Sequence, residues 1–255
     1  MTLLGFDVAH RAIRGARDTQ EDDVRVHRPS GADTLPVIVA LADGMGGHAA
    51  GEVAAETSCE TFVSSIGDAS GDWARDARAA VEAANASVGE MVAADKKLDG
   101  MGATLIGALF DKRGLQWISV GDSPLFLVRD KDIERVNADH SLAPLLDEMA
   151  ARGEMTPERA ASDPRRQMLL SAVTGEDLEE VDLSARPLEL VPGDVVVVAS
   201  DGIESLPPDE ITRVVSGYRG DGSAAAADAL LRAVDAMQHP RQDNATVVVA
   251  IPRFD

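Results

Sequence analysis

The alternation of apolar runs with polar turns divides much of the chain into short strands. The runs are rich in β-branched residues and several adjoin turn residues, which is typical of β-strands. The predicted strands span residues 4–9, 23–28, 37–42, 103–110, 115–120, 125–129, 181–184, 194–200 and 245–251. Two polar segments, 111–114 and 130–132, predict hairpin turns. Such local connections favour antiparallel sheets.

Longer stretches carry apolar residues at helical spacing. They predict helices over residues 50–65, 73–98, 142–152, 208–216 and 223–237. Because these helices stand between groups of hairpins rather than alternating strictly with strands, the pattern favours α+β layers. Residues 139–180 differ, with many charges and short helix signals that include a helix start at Thr156-Pro157-Glu158. We expect this segment to form an irregular flap over one edge of the core.

Composition limits the domain count and the partners. With 255 residues, 45% of them hydrophobic, the chain suits one large domain over residues 1–255, or at most two small ones. The formal net charge of −20 repels phosphate backbones and anionic lipid, so we expect no nucleic-acid partner and no membrane surface. The sole cysteine, Cys59, cannot form an internal disulfide, which fits a reducing compartment. With no signal peptide or apolar span recognised, a cytoplasmic location is expected.

Three aspartates stand at the ends of predicted strands. Asp43 and Asp201 each follow an apolar strand and precede glycine, and Asp243 opens the last strand. A carboxylate beside a buried strand is costly to desolvate unless a positive charge compensates it. Three such positions far apart in sequence suggest convergence on shared cations. Carboxylate and carbonyl oxygens favour hard ions such as Mg²⁺ or Mn²⁺.

Other common chemistries find no support in the sequence. It has no Gly-x-x-x-x-Gly-Lys-Ser/Thr loop, no His-Glu-x-x-His helix and no Gly-x-Ser-x-Gly elbow. Cys59 lies in an apolar predicted helix and is expected in the core. Any one Asp-Gly pair could be only a turn, but six fragments in order are harder to obtain by chance. The fragments are Arg17-Asp18-Thr19-Gln20-Glu21-Asp22, Asp43-Gly44-Met45-Gly46-Gly47-His48, Gly102-Ala103-Thr104, Gly121-Asp122-Ser123, Ser200-Asp201-Gly202 and Asp243-Asn244-Ala245-Thr246.

In this order, the fragments resemble the metal-dependent serine/threonine protein phosphatases of type 2C, the PPM family, in their bacterial form. The likeness runs from about Gly5 to Ile251, and its most specific part is the segment from Asp43 to Glu52. Asp139-His140-Ser141 resembles the start of the family's flap. The resemblance implies a four-layer α-β-β-α sandwich, with two antiparallel sheets flanked by helices. It also implies a centre of two Mn²⁺ or Mg²⁺ ions at one edge.

The resemblance also assigns metal ligands. Asp43 is expected to bridge both ions and the Gly44 carbonyl to bind one of them. Asp201 and Asp243 hold the other side of the site. Glu21 acts near the second ion through water.

Further roles concern a third ion and the substrate. Asp122 matches the site of a third, weaker ion shared with Asp201. Arg17 matches the arginine that grips the substrate phosphate, and a surface salt bridge to Asp18 or Glu21 is the less favoured alternative. Asp22 is expected to steady the metal ligands. With Arg17, Glu21 and Asp43 it completes the predicted catalytic set.

The reaction that the family implies is hydrolysis of phosphoserine and phosphothreonine on proteins. Two cations lower the pKa of a bridging water, and the hydroxide attacks phosphorus in line. A guanidinium fork such as that of Arg17 suits the phosphoryl oxygens. Expected partners are phosphoprotein substrates, with a serine/threonine kinase opposing the reaction, and the enzyme is expected to be monomeric.

Three positions depart from the family pattern. Gln20 stands where the bacterial members carry asparagine, and Pro124 replaces the arginine that follows Gly-Asp-Ser, which removes a positive charge beside Asp122. Met45 occupies the place of a histidine in eukaryotic relatives. His48 could substitute for that histidine as a general acid, but we favour a helix-start residue with local hydrogen bonds. The changes at Gln20 and Pro124 support one alternative, a catalytically weak phosphatase-fold regulator or binding module that acts on one phosphoprotein partner.

Overall fold

The computed structural model describes residues 1–29, 35–46, 49–66 and 71–255, with the backbone alone at Ala49. Within these residues the chain forms eleven strands and six α-helices. The strands are β1 Leu3–Ile13, β2 Asp22–His27, β3 Val37–Met45, β4 Gly102–Ala103, β5 Leu105–Asp111, β6 Gly114–Val120, β7 Leu125–Arg129, β8 Asp132–Arg135, β9 Asp182–Leu183, β10 Val195–Ala199 and β11 Ala245–Phe254. The helices are α1 Ala49–Ile66, α2 Trp73–Ala94, α3 Ala143–Ala151, α4 Pro157–Ala161, α5 Pro208–Tyr218 and α6 Ser223–Ala236.

The strands form two sheets in which each pair is antiparallel. The first sheet has the order β1-β11-β10-β7-β8, and the second has the order β2-β3-β5-β6-β9 with β4 against β3. The predicted hairpin at 111–114 joins β5 to β6, and that at 130–132 joins β7 to β8. The antiparallel connectivity predicted from these turns is confirmed.

Three buried clusters arrange the sheets and helices in layers. Along β3, Val39 and Leu41 pack between the two sheets, whereas Ala40 and Ala42 face the cluster that α1 and α2 form on the outer side. The first sheet is covered in the same way by α5 and α6. Because both faces of the central strands are buried, their sequences are unbroken apolar runs rather than alternating ones. The α+β prediction of two antiparallel sheets flanked by helices is confirmed.

Three details differ from the predicted elements. The helix expected over 73–98 ends at Ala94, because Asp95 is extended and its carboxylate accepts the Lys97 N–H to open a short 3₁₀ turn. The strand expected over 103–110 is divided at Thr104. Strand β8 was missed, since its four residues Asp132–Arg135 carry three charges and one apolar side chain.

Cys59 lies fully buried on α1, where its Sγ contacts the Asp23 carbonyl. Burial raises the pKa of this thiol well above its usual value. Its predicted place in the core is confirmed. None of the helices within the described residues is both long and apolar enough to cross a membrane.

Candidate active site

The strand-end aspartates meet at one edge of the sandwich because antiparallel strands bring the end of one beside the start of the next. Asp22 at the start of β2 stands opposite Asp43 near the end of β3. Asp201 follows β10, and Asp243 precedes β11, its antiparallel neighbour. A cleft of about 890 Å³ opens at this edge. It is lined by Arg17, Glu21, Asp43, Gly44, Asp122, Asp201 and Asp243, so it brings together all the predicted site residues except Asp22.

Thr104 fixes Asp43 at the end of β3. The Asp43 N–H donates to Thr104 Oγ1 at 2.9 Å, and the Thr104 N–H donates to the Asp43 carbonyl at 2.9 Å. Thr104 Oγ1 also lies 2.7 Å from Ser123 Oγ. The strand predicted over 103–110 is interrupted here because the Asp43 N–H bonds the Thr104 hydroxyl rather than the Thr104 carbonyl.

Two glycines allow α1 to pack directly against the acidic edge. A Cβ on Gly44 would lie 2.1 Å from the Gly51 carbonyl oxygen, and a Cβ on Gly51 would lie 2.2 Å from Glu21 Oε2. Both distances are far below any real carbon contact. The Gly44 N–H also donates to the Glu21 carbonyl at 3.1 Å. Gly44 and Gly51 are therefore needed for Glu21 to stand beside Asp43.

Asn244 holds the loop that carries Arg17 and Glu21. Its Oδ1 accepts the Glu21 N–H at 2.8 Å. Its Nδ2 donates to the carbonyls of Arg14 and Thr19 at 2.8 and 2.9 Å. The sequence placed Asn244 in a motif but gave it no role. Its only sequence signal was its position directly after Asp243.

Asp22 lies behind the wall of the cleft. Its Oδ2 accepts the Ser200 hydroxyl at 2.8 Å, and Ser200 Oγ in turn accepts the Thr246 N–H at 2.9 Å. Burial raises the pKa of Asp22 to about 6, the Asp201 and Asp243 charges add to the effect, and the hydrogen bond from Ser200 acts against it. Asp22 thus links the two sheets at the site through Ser200.

The carboxylates that line the cleft repel one another. Burial, followed by the charges of Asp22, Asp201, Asp243 and Asp122, raises the pKa of Asp43 well above its usual value. Such crowding is unfavourable at neutral pH without a positive charge to offset it.

Asp122 shares this electrostatic pattern. Burial raises its pKa to about 7, with further contributions from Asp201, Asp139 and Glu204, while Arg135 acts in the opposite direction. Burial also raises the pKa of Asp201, and the Asp243 charge adds to it. Shifts of this kind, from burial and specific charges in a cleft, are typical of functional sites.

Arg17 is the cation of the cleft wall. Its Nη2 donates to Asp243 Oδ2, and 54% of its side chain is exposed. The structure thus pairs it with a predicted metal ligand, rather than with Asp18 or Glu21. Because a guanidinium has several donors in one plane, Arg17 can keep a carboxylate contact and still present N–H groups to the cleft.

The donor set fits divalent cations that prefer oxygen. The carboxylates of Asp43, Asp201 and Asp243 supply oxygen donors. One of these oxygens, Asp201 Oδ1, is buried and makes no hydrogen bond within the described residues. Within the described residues, however, no group of three or more Asp, Glu, His or Cys side chains is already arranged to hold a metal ion. Cation binding would therefore require the carboxylates to reorient, and it would relieve their mutual repulsion.

The remaining wall of the cleft belongs to the predicted flap, including Gln167, Leu169 and Thr174. The helix start predicted at Thr156 is observed, since its Oγ1 accepts the Arg159 N–H at 3.2 Å.

Met45 also lines the cleft. Gly47 and His48, the second of which was considered as a general acid, lie outside the described residues.

Comparison with known sequences identifies the family. A model of the protein phosphatase 2C family matches residues 14–245. The serine/threonine protein phosphatase PstP of Mycobacterium tuberculosis is 35% identical over 245 residues, which are 95% of this chain and 44% of that protein. The chain thus spans about half the length of this curated relative. The serine/threonine phosphatase stp of Listeria welshimeri is 29% identical over 185 residues, 69% of this chain and 70% of that protein.

Solved structures agree with the sequence comparison. The crystal structure of the M. tuberculosis phosphatase PstP/Ppp has a TM-score of 0.81 and 31% identity, covering 98% of this chain and 100% of that one. The catalytic domain of PstP, in complex with two manganese ions, has a TM-score of 0.78 and 30% identity over 98% and 100% of the two chains. The chain therefore belongs to the protein phosphatase 2C family.

Proposed function

We propose that this protein hydrolyses phosphoserine and phosphothreonine on other proteins with the help of two divalent cations, Mn²⁺ or Mg²⁺. The observation that carries the proposal is the cleft, which places Arg17 beside the crowded carboxylates of Asp43, Asp201 and Asp243 in a member of the protein phosphatase 2C family. Relatives named serine/threonine phosphatases, one of them with two manganese ions, support it.

Each side chain has a role in this proposal. Asp43, Asp201 and Asp243, with the Gly44 carbonyl, hold the two cations, and Glu21 acts on one of them through water. When bound, the cations activate water for in-line attack and offset charge on the phosphoryl oxygens. Asp122, shared with Asp201, offers a place for a third, weaker cation.

The other predicted residues bind the substrate or support the ligands. Arg17 binds the phosphate, because its guanidinium offers paired N–H donors to phosphoryl oxygens. Asp22, through Ser200, keeps the ends of β2 and β10 together, so that Asp43 and Asp201 stay within reach of the same cations. The alternative of a weak regulator or binding module remains as an outcome of the test below.

The proposal extends to the setting of the enzyme. We propose that residues 1–255 act as one catalytic unit, that the flap over 139–180 selects among phosphoproteins, and that a serine/threonine kinase opposes the reaction. A signalling role for a monomer in the cytoplasm, without nucleic-acid or membrane partners, fits the net charge of −20. Phosphate release from phosphothreonine peptides by the purified protein with Mn²⁺ tests the activity. Tight peptide binding without turnover would favour the regulator instead.

Substitution Arg17→Ala is expected to weaken substrate binding more than turnover. Loss of a charged donor to phosphate should raise KM for a phosphothreonine peptide by about tenfold or more. The Mn²⁺ concentration for half-maximal activity should not rise, because Arg17 no longer competes for Asp243. Arg14→Ala is the matched control, since the Arg14 side chain bonds only the Asp18 carbonyl, at 3.4 Å, among the residues that the structure describes. An unchanged KM in Arg17→Ala would remove this residue from the site.

A further inference from the structure

The turn that carries Asp122 is held by the segment at the end of β8. Arg135 Nη2 donates to the Asp122 carbonyl at 2.6 Å. Asn137 Nδ2 donates to the Ser123 carbonyl at 3.0 Å, and Asn137 Oδ1 accepts the Leu125 N–H at 2.8 Å. Both polar groups of the Asn137 side chain and one of the Arg135 donors are thus used to fix this turn.

Arg135 also places a positive charge among carboxylates. Its Nη1 lies 3.1 Å from Asp139 Oδ2 and 3.6 Å from Glu204 Oε1, and only 20% of its side chain is exposed. Arg135 thus contacts two carboxylates with Nη1 while its Nη2 holds the Asp122 carbonyl. Loss of this guanidinium would remove the positive charge beside Asp139 and Glu204 and would release the Asp122 carbonyl.

The Asp122 turn carries no cation of its own, since Pro124 follows Gly121-Asp122-Ser123. Pro124 is buried, and its carbonyl accepts the Ala199 N–H at 3.0 Å, which ties the end of this turn to β10. We propose that Arg135 is a positioning residue that holds Asp122 for the third, weaker divalent cation.

Arg135 does not make the region cationic. Its charge is shared between Asp139 and Glu204, and with Asp122 and Asp201 the local set is four carboxylates to one guanidinium. A divalent cation therefore still meets a negative field. The main contribution of Arg135 is geometric, since its bond to the Asp122 carbonyl fixes the direction of the neighbouring carboxylate. Partners that orient a ligand in this way affect metal affinity strongly.

Equilibrium dialysis of Mn²⁺ against the folded protein tests the proposal. The proposal rests on the proposed function for the two tighter ions, but the dialysis measures bound Mn²⁺ without any turnover assay. In Arg135→Gln we expect the affinity of the weakest of three sites to fall by about tenfold, with the tighter sites unchanged. Arg129→Gln is the matched control. This residue binds Asp194 at 2.7 Å and the Glu189 carbonyl at 3.0 Å, but it does not line the cleft.

Two results would overturn the role of Arg135: a wild-type protein that binds only two ions, or an unchanged or tighter weak site in Arg135→Gln. If Arg135→Gln does not fold, Arg135→Lys is measured instead, because lysine keeps the charge and one donor group. A loss of affinity at the weakest site that is smaller than the one expected for Arg135→Gln supports the role of Arg135. An unchanged affinity contradicts it. If Arg135→Gln selectively loses the third ion and the wild-type protein releases no phosphate, the role of Arg135 is supported and the proposed function is contradicted.

Discussion

Replacing Asp43 by asparagine is expected to reduce phosphate release by at least about 10³-fold, equivalent to about 4 kcal/mol of lost transition-state stabilisation. The carboxylate is proposed to bind both cations, and asparagine retains the size of the side chain but loses its charge. The backbone bonds between Asp43 and Thr104 can persist, so the fold should survive. Phosphate release from a phosphothreonine peptide at saturating Mn²⁺ measures the effect.

The same substitution should make the metal-free protein more stable. Asp43 is crowded by Asp22, Asp201, Asp243 and Asp122, so removing its charge relieves repulsion. Asp43→Asn in chelator should therefore unfold at a higher temperature than wild type, even though it is inactive. Asp23→Asn is the matched control, because Asp23 directly follows Asp22 on β2 but pairs with Arg25. Activity of Asp43→Asn within about tenfold of wild type would contradict a bridging role.

The thermal stability of the metal-free protein should fall as the pH rises from 5.5 to 7.5. The folded pKa values of Asp22 and Asp122 are about 6 and about 7, above the ordinary value of 3.8. The folded state therefore holds protons more tightly than the unfolded state. This contribution to stability is fully present below the unfolded pKa and is lost as the pH passes through the folded values.

Divalent cations should reverse this trend, because they replace protons as the compensating charge. At a Mn²⁺ concentration near 100 times Kd, binding stabilises the fold by about 2.7 kcal/mol, which for a chain of this size raises Tm by about 5–10 °C. The difference in Tm between Mn²⁺ and chelator should be larger at pH 7.5 than at pH 5.5, since the ligands must be deprotonated. A difference that is equal at both pH values, or absent, would contradict cation binding by these carboxylates.

The layers of the fold were predictable because they depend on local pattern. The apolar runs of β3, β10 and β11 are buried on both faces, and an unbroken apolar run of this kind predicts a central strand without knowledge of its neighbours. The positions of Asp43, Asp201 and Asp243 followed from the ends of those strands. The structure places all three on one cleft.

What the sequence did not show depends on contacts between distant residues. Asn244 binds the Glu21 N–H from 223 positions away, and Thr104 binds Asp43 from 61 positions away. Neither bond leaves a periodic signal. The pairing of Arg17 with Asp243 was missed for the same reason, since nearer carboxylates were available along the chain.

Strand β8 shows how a missed element can hide a functional residue. With only Ile133 apolar, it lacks the alternation that marks a strand, and it is held by its pairing with β7 at the sheet edge. The local pattern therefore assigns no role to Arg135 at its end. Only the folded chain places it against the Asp122 turn.

The most direct test of the proposed function is phosphate release from a phosphothreonine peptide with Mn²⁺, with Mg²⁺ and with chelator, for wild type and Asp243→Asn. Asp243 is suited to this test because it lies at the edge of the cleft, where Arg17 reaches it. We predict turnover that needs a divalent cation, disappears in chelator and is lost in Asp243→Asn. Turnover that persists in chelator, or none in folded, metal-loaded wild type on phosphopeptides that it binds, would contradict the account.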